Sequence, residues 1–428
     1  MMILRRWIKR GKGIRIAAVS IILAVALVAS GCATASYASP AVGKEIPVGV
    51  RAGFTGGAAS TLVHISSGYL DCLKYQNDYR EGVNGIPIKI MWEDNRSDGL
   101  KEISSHKRFA TAGAVVEWAA WTTGADATAV MQQRGKIPLM STAGFTPGQV
   151  TKPLKWCFNF VPAWCAEFAT AVRWIKEGWT EPRRPRVGLM FWNTPDGWSS
   201  KDGIPYCEKA GAEFVGYEAV PLVGAIDLST ELLRLAGKKP DWIYVVDYGS
   251  CLVTLMKDAA RLEIQQKGIK LIGSMNNIDA AIIGIVKKDA EDWYVLTTIP
   301  SAWESTDKYP GLKEVHEAAK RYRGLEVGEI AEMYIGGYML SKATIEIIRR
   351  AIERVGIENL TGEAVRDSAE NFDNFNPGML PQPLGKITRD DPHYVKFYLV
   401  YQIQSGKRVL VADVQAVTLG GDMGIYYE

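Results

Sequence analysis

Histidine is scarce in this chain. There are four in 428 residues, at positions 64, 106, 316 and 393, with no common spacing. No H-E-x-x-H, G-x-S-x-G, G-x-G-x-x-G or P-loop pattern occurs, and GFTGG at 53–57, although glycine-rich after a strand-like run, misses the dinucleotide spacing. Metalloprotease, serine hydrolase, nucleotide-hydrolysing and nicotinamide chemistry are therefore not expected, and no cofactor is called for. The absence of C-x-x-C argues against a structural zinc site. Low-complexity tracts are also lacking, and the 47% hydrophobic and 10% aromatic content is that of a globular protein. At this length two domains of about 150 to 200 residues are expected.

The basic charge is concentrated at one end. MMILRRWIKRGKGIR carries six Lys and Arg and no acid, and IAAVSIILAVALVA at 16–29 is an apolar run short for a membrane span and right for a signal peptide. Removing residues 1–31 turns the net charge of +3 into about −3, which leaves no basic footprint for nucleic acid. Gly31-Cys32 resembles the lipobox of bacterial lipoproteins, with Cys32 as the lipid anchor, although Ala29 is a weaker residue there than the usual Leu or Val. Ordinary cleavage after Ala35 or Ala38 is the alternative. Either way the expected location is extracytoplasmic, as a periplasmic or cell-surface protein. Cysteines 72, 157, 165, 207 and 251 remain; Cys157 and Cys165 could bridge, or all five could be buried thiols.

After a linker to residue 45, short β-rich runs alternate with helical stretches. Strands are expected at 47–54, 86–94, 114–120, 137–141, 186–192, 212–220, 241–247, 269–273 and 293–298. A helix over 329–356, a Pro-rich loop at 376–384 and a hairpin across Ser405-Gly406-Lys407 follow. The βαβα rhythm in two sets predicts an α/β protein of two doubly wound parallel-sheet lobes.

In such sheets ligands lie beyond the carboxyl ends of the strands, where helix N-termini point outward. FTGGAAS (54–60), WTTGADA (121–127) and STAGFTPG (141–148) occupy such places. Thr122 and Thr123 stand where they could cap a helix or hydrogen-bond a small anion. Capping alone explains any single threonine; three such turns on successive strands point to a ligand seat. Of the thirteen tryptophans most should be core, but Trp121 and Trp198 fall in loops expected to face the gap between lobes.

The order EIPVGVRAGFTGG, DYREGVNGIPIKIMWEDNRSD, IPLMSTAGFTPG, GKKPDWIYVVDYGSCLVTLMKDAARL, behind a signal peptide, resembles the branched-chain amino acid type (Leu/Ile/Val-binding-like) of substrate-binding proteins of ABC importers. The likeness spans nearly the whole mature chain. It implies the type I periplasmic binding fold, with three crossover segments joining lobe one (46–163 and 300–387) to lobe two (164–299 and 388–428). It also implies a monomer that is not an enzyme, closes on a small solute and delivers it to permease membrane subunits. A ligand-sensing module of a signalling system would share the fold.

Carried over residue by residue, the family's ligand pattern partly departs. Its Ser/Thr pair matches Thr122 and Thr123, and its next serine matches Ser141. Gly144 and Phe145 replace the usual Ala-Thr at the amino-acid head group. Asp196, before Gly197, stands for an aromatic residue, and Met275 for the acid that pairs with the ligand ammonium. A buried ammonium without its carboxylate is costly, so leucine in the usual pose is doubtful unless Asp196 or Asp247 restores the charge. A carboxylate without an amine, an aromatic acid or a neutral amide fits better, with Phe145, Trp121 and Trp198 as apolar walls.

Overall fold

The computed structural model describes residues 44–141, 156–221, 223–247, 249–275 and 277–425. The chain first builds β1 (Ile46–Ala52), α1 (Ala59–Arg80), β2 (Ile88–Asp94), α2 (Gly99–Thr111), β3 (Val116–Ala119), α3 (Thr122–Gly135), β4 (Leu139–Ser141) and β5 (Cys157–Asn159). These strands form one wholly parallel sheet in the order β2-β1-β3-β4-β5. β1 and β3 are buried almost throughout, as strands covered by helices on both faces must be. Local signals place the helices. Asp98 accepts the Leu100 and Lys101 amides to start α2, and α1 stops at Glu81 in the left-handed conformation.

A second set follows: α4 (Trp164–Glu177), β6 (Arg186–Trp192), α5 (Pro195–Ser199), α6 (Ile204–Lys209), β7 (Glu213–Val220), α7 (Ser229–Ala236), β8 (Trp242–Val246), α8 (Gly249–Arg261), β9 (Lys270–Gly273), α9 (Ala280–Val286) and β10 (Tyr294–Thr297). After α10 (Leu312–Arg323), α11 (Glu332–Val355) and α12 (Gly362–Glu370), the chain ends in β11 (Phe397–Gln404) and β12 (Lys407–Gln415). The second sheet runs β12-β11-β10-β9-β8-β6-β7, parallel except for the antiparallel hairpin at one edge. Ser405 and Gly406 both take positive φ, 51° and 73°, as the two-residue hairpin turn requires.

The two sheets exchange chain three times. The chain leaves β5 for α4, returns from β10 to helices that pack on α1, and passes from α12 back to the second sheet. The α1–α11 crossing is made by glycine: a Cβ on Gly68 would lie 1.9 Å from the Tyr334 carbonyl, and one on Gly337 would lie 2.0 Å from the Ile65 carbonyl. The backbones touch.

All nine expected strands form, most shortened at their ends by a residue or two. β5 was not expected, since three residues give too short a run to show a period. The expected hairpin forms from Phe397 onward, and just before it Tyr394 and Val395 donate their amides to the Asn159 and Phe160 carbonyls in the crossover. Cysteines 72, 157, 165, 207 and 251 are all buried free thiols, so Cys157 and Cys165 do not bridge. No helix among the described residues is long and apolar enough to cross a membrane.

Gly337→Ala is expected to destabilise the protein by about 1 to 3 kcal/mol, because the methyl group meets backbone rather than a movable side chain. Thermal denaturation beside Gly99→Ala, whose Cβ has nothing within 4 Å, checks this; equal melting points would refute the close crossing.

Candidate functional site

Turns at the carboxyl ends of the two sheets lie against each other. α3 neighbours α5, and α1 neighbours α8. A Cβ on Gly249 (φ +71°) would lie 2.7 Å from Ser60 Oγ, and one on Gly57 would lie 3.3 Å from Val223. Turns of the first sheet therefore reach those of the second at the rim.

On the first side, α3 starts at the tip of β3. Trp121 takes the N-cap position in extended conformation without a side-chain cap bond, and the first turn holds no acid. The partial positive charge of this helix start suits an anion or a carbonyl oxygen. Thr122 is buried. Thr123 is half-buried, and its Oγ1 is buried with no hydrogen-bond partner among the described residues. Ser141 ends β4, buried, in register with Ala119 and with Asn159. Asn159 is a residue that sequence reasoning missed: its Oδ1 and Nδ2 are both buried and lack partners among the described residues. Such groups carry a desolvation cost of about 1 to 3 kcal/mol each unless something pairs with them.

The start of α3 is fixed from beneath by a buried polar network. Arg51 on β1 donates to Glu102 Oε2 at 3.0 Å and Thr128 Oγ1 at 2.6 Å, and its Nε lies 3.3 Å from Glu117 Oε2. Asn95 donates to Glu102 at 2.7 Å, Gln132 to Glu117 at 2.9 Å, and the His106 ring meets Glu117 at 2.9 Å. Burial raises the Glu102 carboxyl above its usual range, although Arg51 and Asn95 pull it down. Gly124 packs directly on Glu102.

The loop after β1 is tied to the tip of β2. Asp94 accepts the Phe54 and Thr55 amides at 2.9 and 3.2 Å and the Thr55 hydroxyl at 2.6 Å. Burial would raise Asp94, but the bonds from Thr55, Phe54 and Arg96 outweigh it and hold the carboxyl low. The Thr55 hydroxyl is spent on the loop itself.

On the second side, Asp196 is buried in α5 and accepts the Trp192 indole N–H at 3.2 Å and the Thr194 hydroxyl. Trp198 is 39% exposed. Its indole donates to Asn193 at 2.7 Å, and its ring packs edge-on to Phe191 and Tyr217 on the β6–β7 edge, with Lys201 Nζ 4.8 Å above it. Asp247 is fully buried at the tip of β8. Met275 is buried after β9, and its amide donates to Glu167 at 2.6 Å. Trp118 and Trp192 are core, stacked on Tyr69 and edge-on to Trp164. Gly144, Phe145 and Cys32 lie outside the described residues.

Glu167, on the first turn of α4, is the second group that the sequence did not reveal. It brings a carboxyl from below to the turn where the family resemblance leads one to look for an acid and finds Met275. Burial pushes it up to about 8; the Met275 amide and the Tyr244 hydroxyl offset only part of that rise. At neutral pH it is mostly a neutral group that anchors a loop.

With this geometry in hand, the comparisons are informative. A family model described as periplasmic binding protein matches residues 45–408, so the chain belongs to the periplasmic binding protein family. Solved structures of similar fold include a branched-chain amino acid ABC transporter protein from Thermus thermophilus with bound valine. That structure is 17% identical, with TM-score 0.78, and the match covers 89% of this chain and 98% of that one. A solute-binding protein of an ABC transporter from Rhodopseudomonas palustris BisB5, in complex with 3,4-dihydroxybenzoic acid, is 20% identical with TM-score 0.70, over 87% and 98%. A fatty acid ABC transporter substrate-binding protein from Thermomonospora curvata is 17% identical with TM-score 0.74, over 91% and 96%. No curated protein sequence matches the chain.

The raised carboxyl of Glu167 gives a pH prediction. Below its ordinary value of 4.5 both folded and unfolded chains hold the proton. Between there and about 8 only the unfolded chain releases it, so stability falls as pH rises through that window. Glu167→Gln keeps an acceptor for Met275 and cannot ionise. Its stability relative to the parent should grow from pH 5 to pH 8, by an amount on the order of a few kcal/mol, in thermal melts across pH. A difference that stays flat with pH would contradict the burial argument.

Proposed function

We propose that this protein is the extracytoplasmic solute-binding component of an ABC importer, capturing a small polar organic solute between two lobes and presenting it to permease membrane subunits. The lobes are residues 46–163 with 300–387, and 164–299 with 388–428. Residues 1–31 serve as signal peptide, and Cys32 as the lipid anchor.

The observation that carries the reading is the first turn of α3: an uncapped helix N-terminus without acids, beside a buried Thr123 hydroxyl lacking a partner among the described residues, facing the tips of the second sheet. Such a turn suits a carboxylate or a carbonyl. Micromolar capture needs about 8 kcal/mol. Two or three charge-assisted hydrogen bonds of about 1.5 to 3 kcal/mol each, with apolar burial against Trp121, reach that order.

The opposite side disfavours an α-amino group. Met275 offers no charge, Glu167 is mostly neutral below its raised value and already holds the Met275 amide, and Asp196 already accepts two donors. Asp247, buried at the tip of β8, stays a candidate for a ligand cation. We therefore favour a carboxylate or amide over leucine in the usual pose. The similar structures were solved with valine and with a dihydroxybenzoate, and the fold accommodates both kinds of guest.

A thermal-shift screen of the mature protein against amino acids, aromatic acids and amides tests the reading, since a ligand bound to the folded state alone raises the melting point. Thr123→Ala should weaken the best hit by about 1 to 3 kcal/mol in calorimetric titration. An unchanged affinity would move the seat elsewhere, and silence across all three classes would sink the solute-binding reading.

A further inference from the structure

At the opposite end of the second sheet from the cleft, the amino ends of β8, β9 and β10 meet the last turn of α4 in an aromatic groove of about 270 Å³. Trp174, Trp242 and Tyr294 form its wall as a closed triangle of rings, with centroids 5.4, 5.6 and 5.1 Å apart and tilted or edge-on to one another. Trp179 and Val411 complete the lining. Val411 is the extra residue in the β12 bulge, 44% exposed.

The cations at the rim decide what such a groove can take. Arg183 lies over Trp179 at 5.0 Å, but its charge is spent in a bidentate pair with Asp241 at 2.6 and 2.7 Å. Lys270 is exposed, its Nζ lies 5.1 Å over the Trp242 ring, and no carboxylate among the described residues is within salt-bridge distance of it. A cationic guest would meet like charge at ring faces already covered by cations. A neutral apolar guest would gain nothing from Lys270. A flat apolar body ending in a carboxylate satisfies both the rings and the lysine.

We propose that this groove is a second binding site, distinct from the cleft, for a small free aromatic carboxylate, whose ring packs against Trp174, Trp242 and Tyr294 while its carboxylate pairs with Lys270. The groove and the cleft lie at opposite ends of one sheet.

The test uses 2-naphthoate and its uncharged analogue 2-naphthamide as probes, with binding followed by saturation-transfer NMR and equilibrium dialysis on the mature protein. Two surface variants address the groove. Lys270→Glu reverses the charge. Gly178→Leu fills the space, and is sterically permitted because a Cβ there meets only the Trp174 carbonyl at 3.6 Å. The cleft variant Thr123→Ala separates the two sites. The naphthoate binding that persists in the Thr123→Ala protein should lose about fivefold or more in affinity when Lys270→Glu is added and disappear when Gly178→Leu is added; naphthamide should bind that protein more weakly than naphthoate. Absence of naphthoate binding, binding untouched by both groove variants, or equal affinity for the amide would each overturn the proposal. The cleft is tested separately, by the Thr123 variant with the best hit of the thermal-shift screen.

Discussion

A buried arginine fixes the geometry on which the first half of the cleft depends. Arg51 stands on β1, an interior strand of its sheet, and ties it to β3 through Glu117 and to α2 and α3 through Glu102 and Thr128. Placing a guanidinium and two carboxylates out of water is costly, and only a nearly complete set of partners offsets it. Asn95, His106 and Gln132 supply the remaining bonds to the two acids. The return is positional rather than energetic: the turn holding Thr122 and Thr123 cannot rotate or slide without breaking charge-assisted bonds that water cannot replace. The ligand seat proposed at this turn, made of amides and short hydroxyls, would need such stiffness, because short side chains cannot adjust.

The second side is held by different means. The turn after β9 is pinned by Glu167 to the Met275 amide and by Asn277 to the Val245 carbonyl, and the turn after β6 by Asp196 to the Trp192 indole. Carboxyls here serve as braces.

Much of the fold was legible in the sequence because parallel strands and their flanking helices leave strong periodic signals, while the seat read from the small residues at the strand tips stands as a proposal. What escaped notice did so for physical reasons. β5 has three residues, so it carries no alternation, and Asn159 at its tip had no element to be assigned to. Glu167 sits in a helix whose acid at that position looks like ordinary first-turn polarity; only the tertiary fold drives it fully under the sheet. The sequence likewise does not disclose that Asp94, from the next strand, claims the Thr55 hydroxyl in the FTGGAAS turn.

The direct contact of α1 with α11 also governs how the molecule can be assembled. Gly68 and Gly337 stand on either side of the complete second sheet's five parallel strands in chain order. The glycine-lined face of α1 therefore stays bare during synthesis until that whole intervening block has emerged. Long-range closure of this kind slows folding and lengthens exposure of apolar surface, so the first half of the molecule cannot mature ahead of the second.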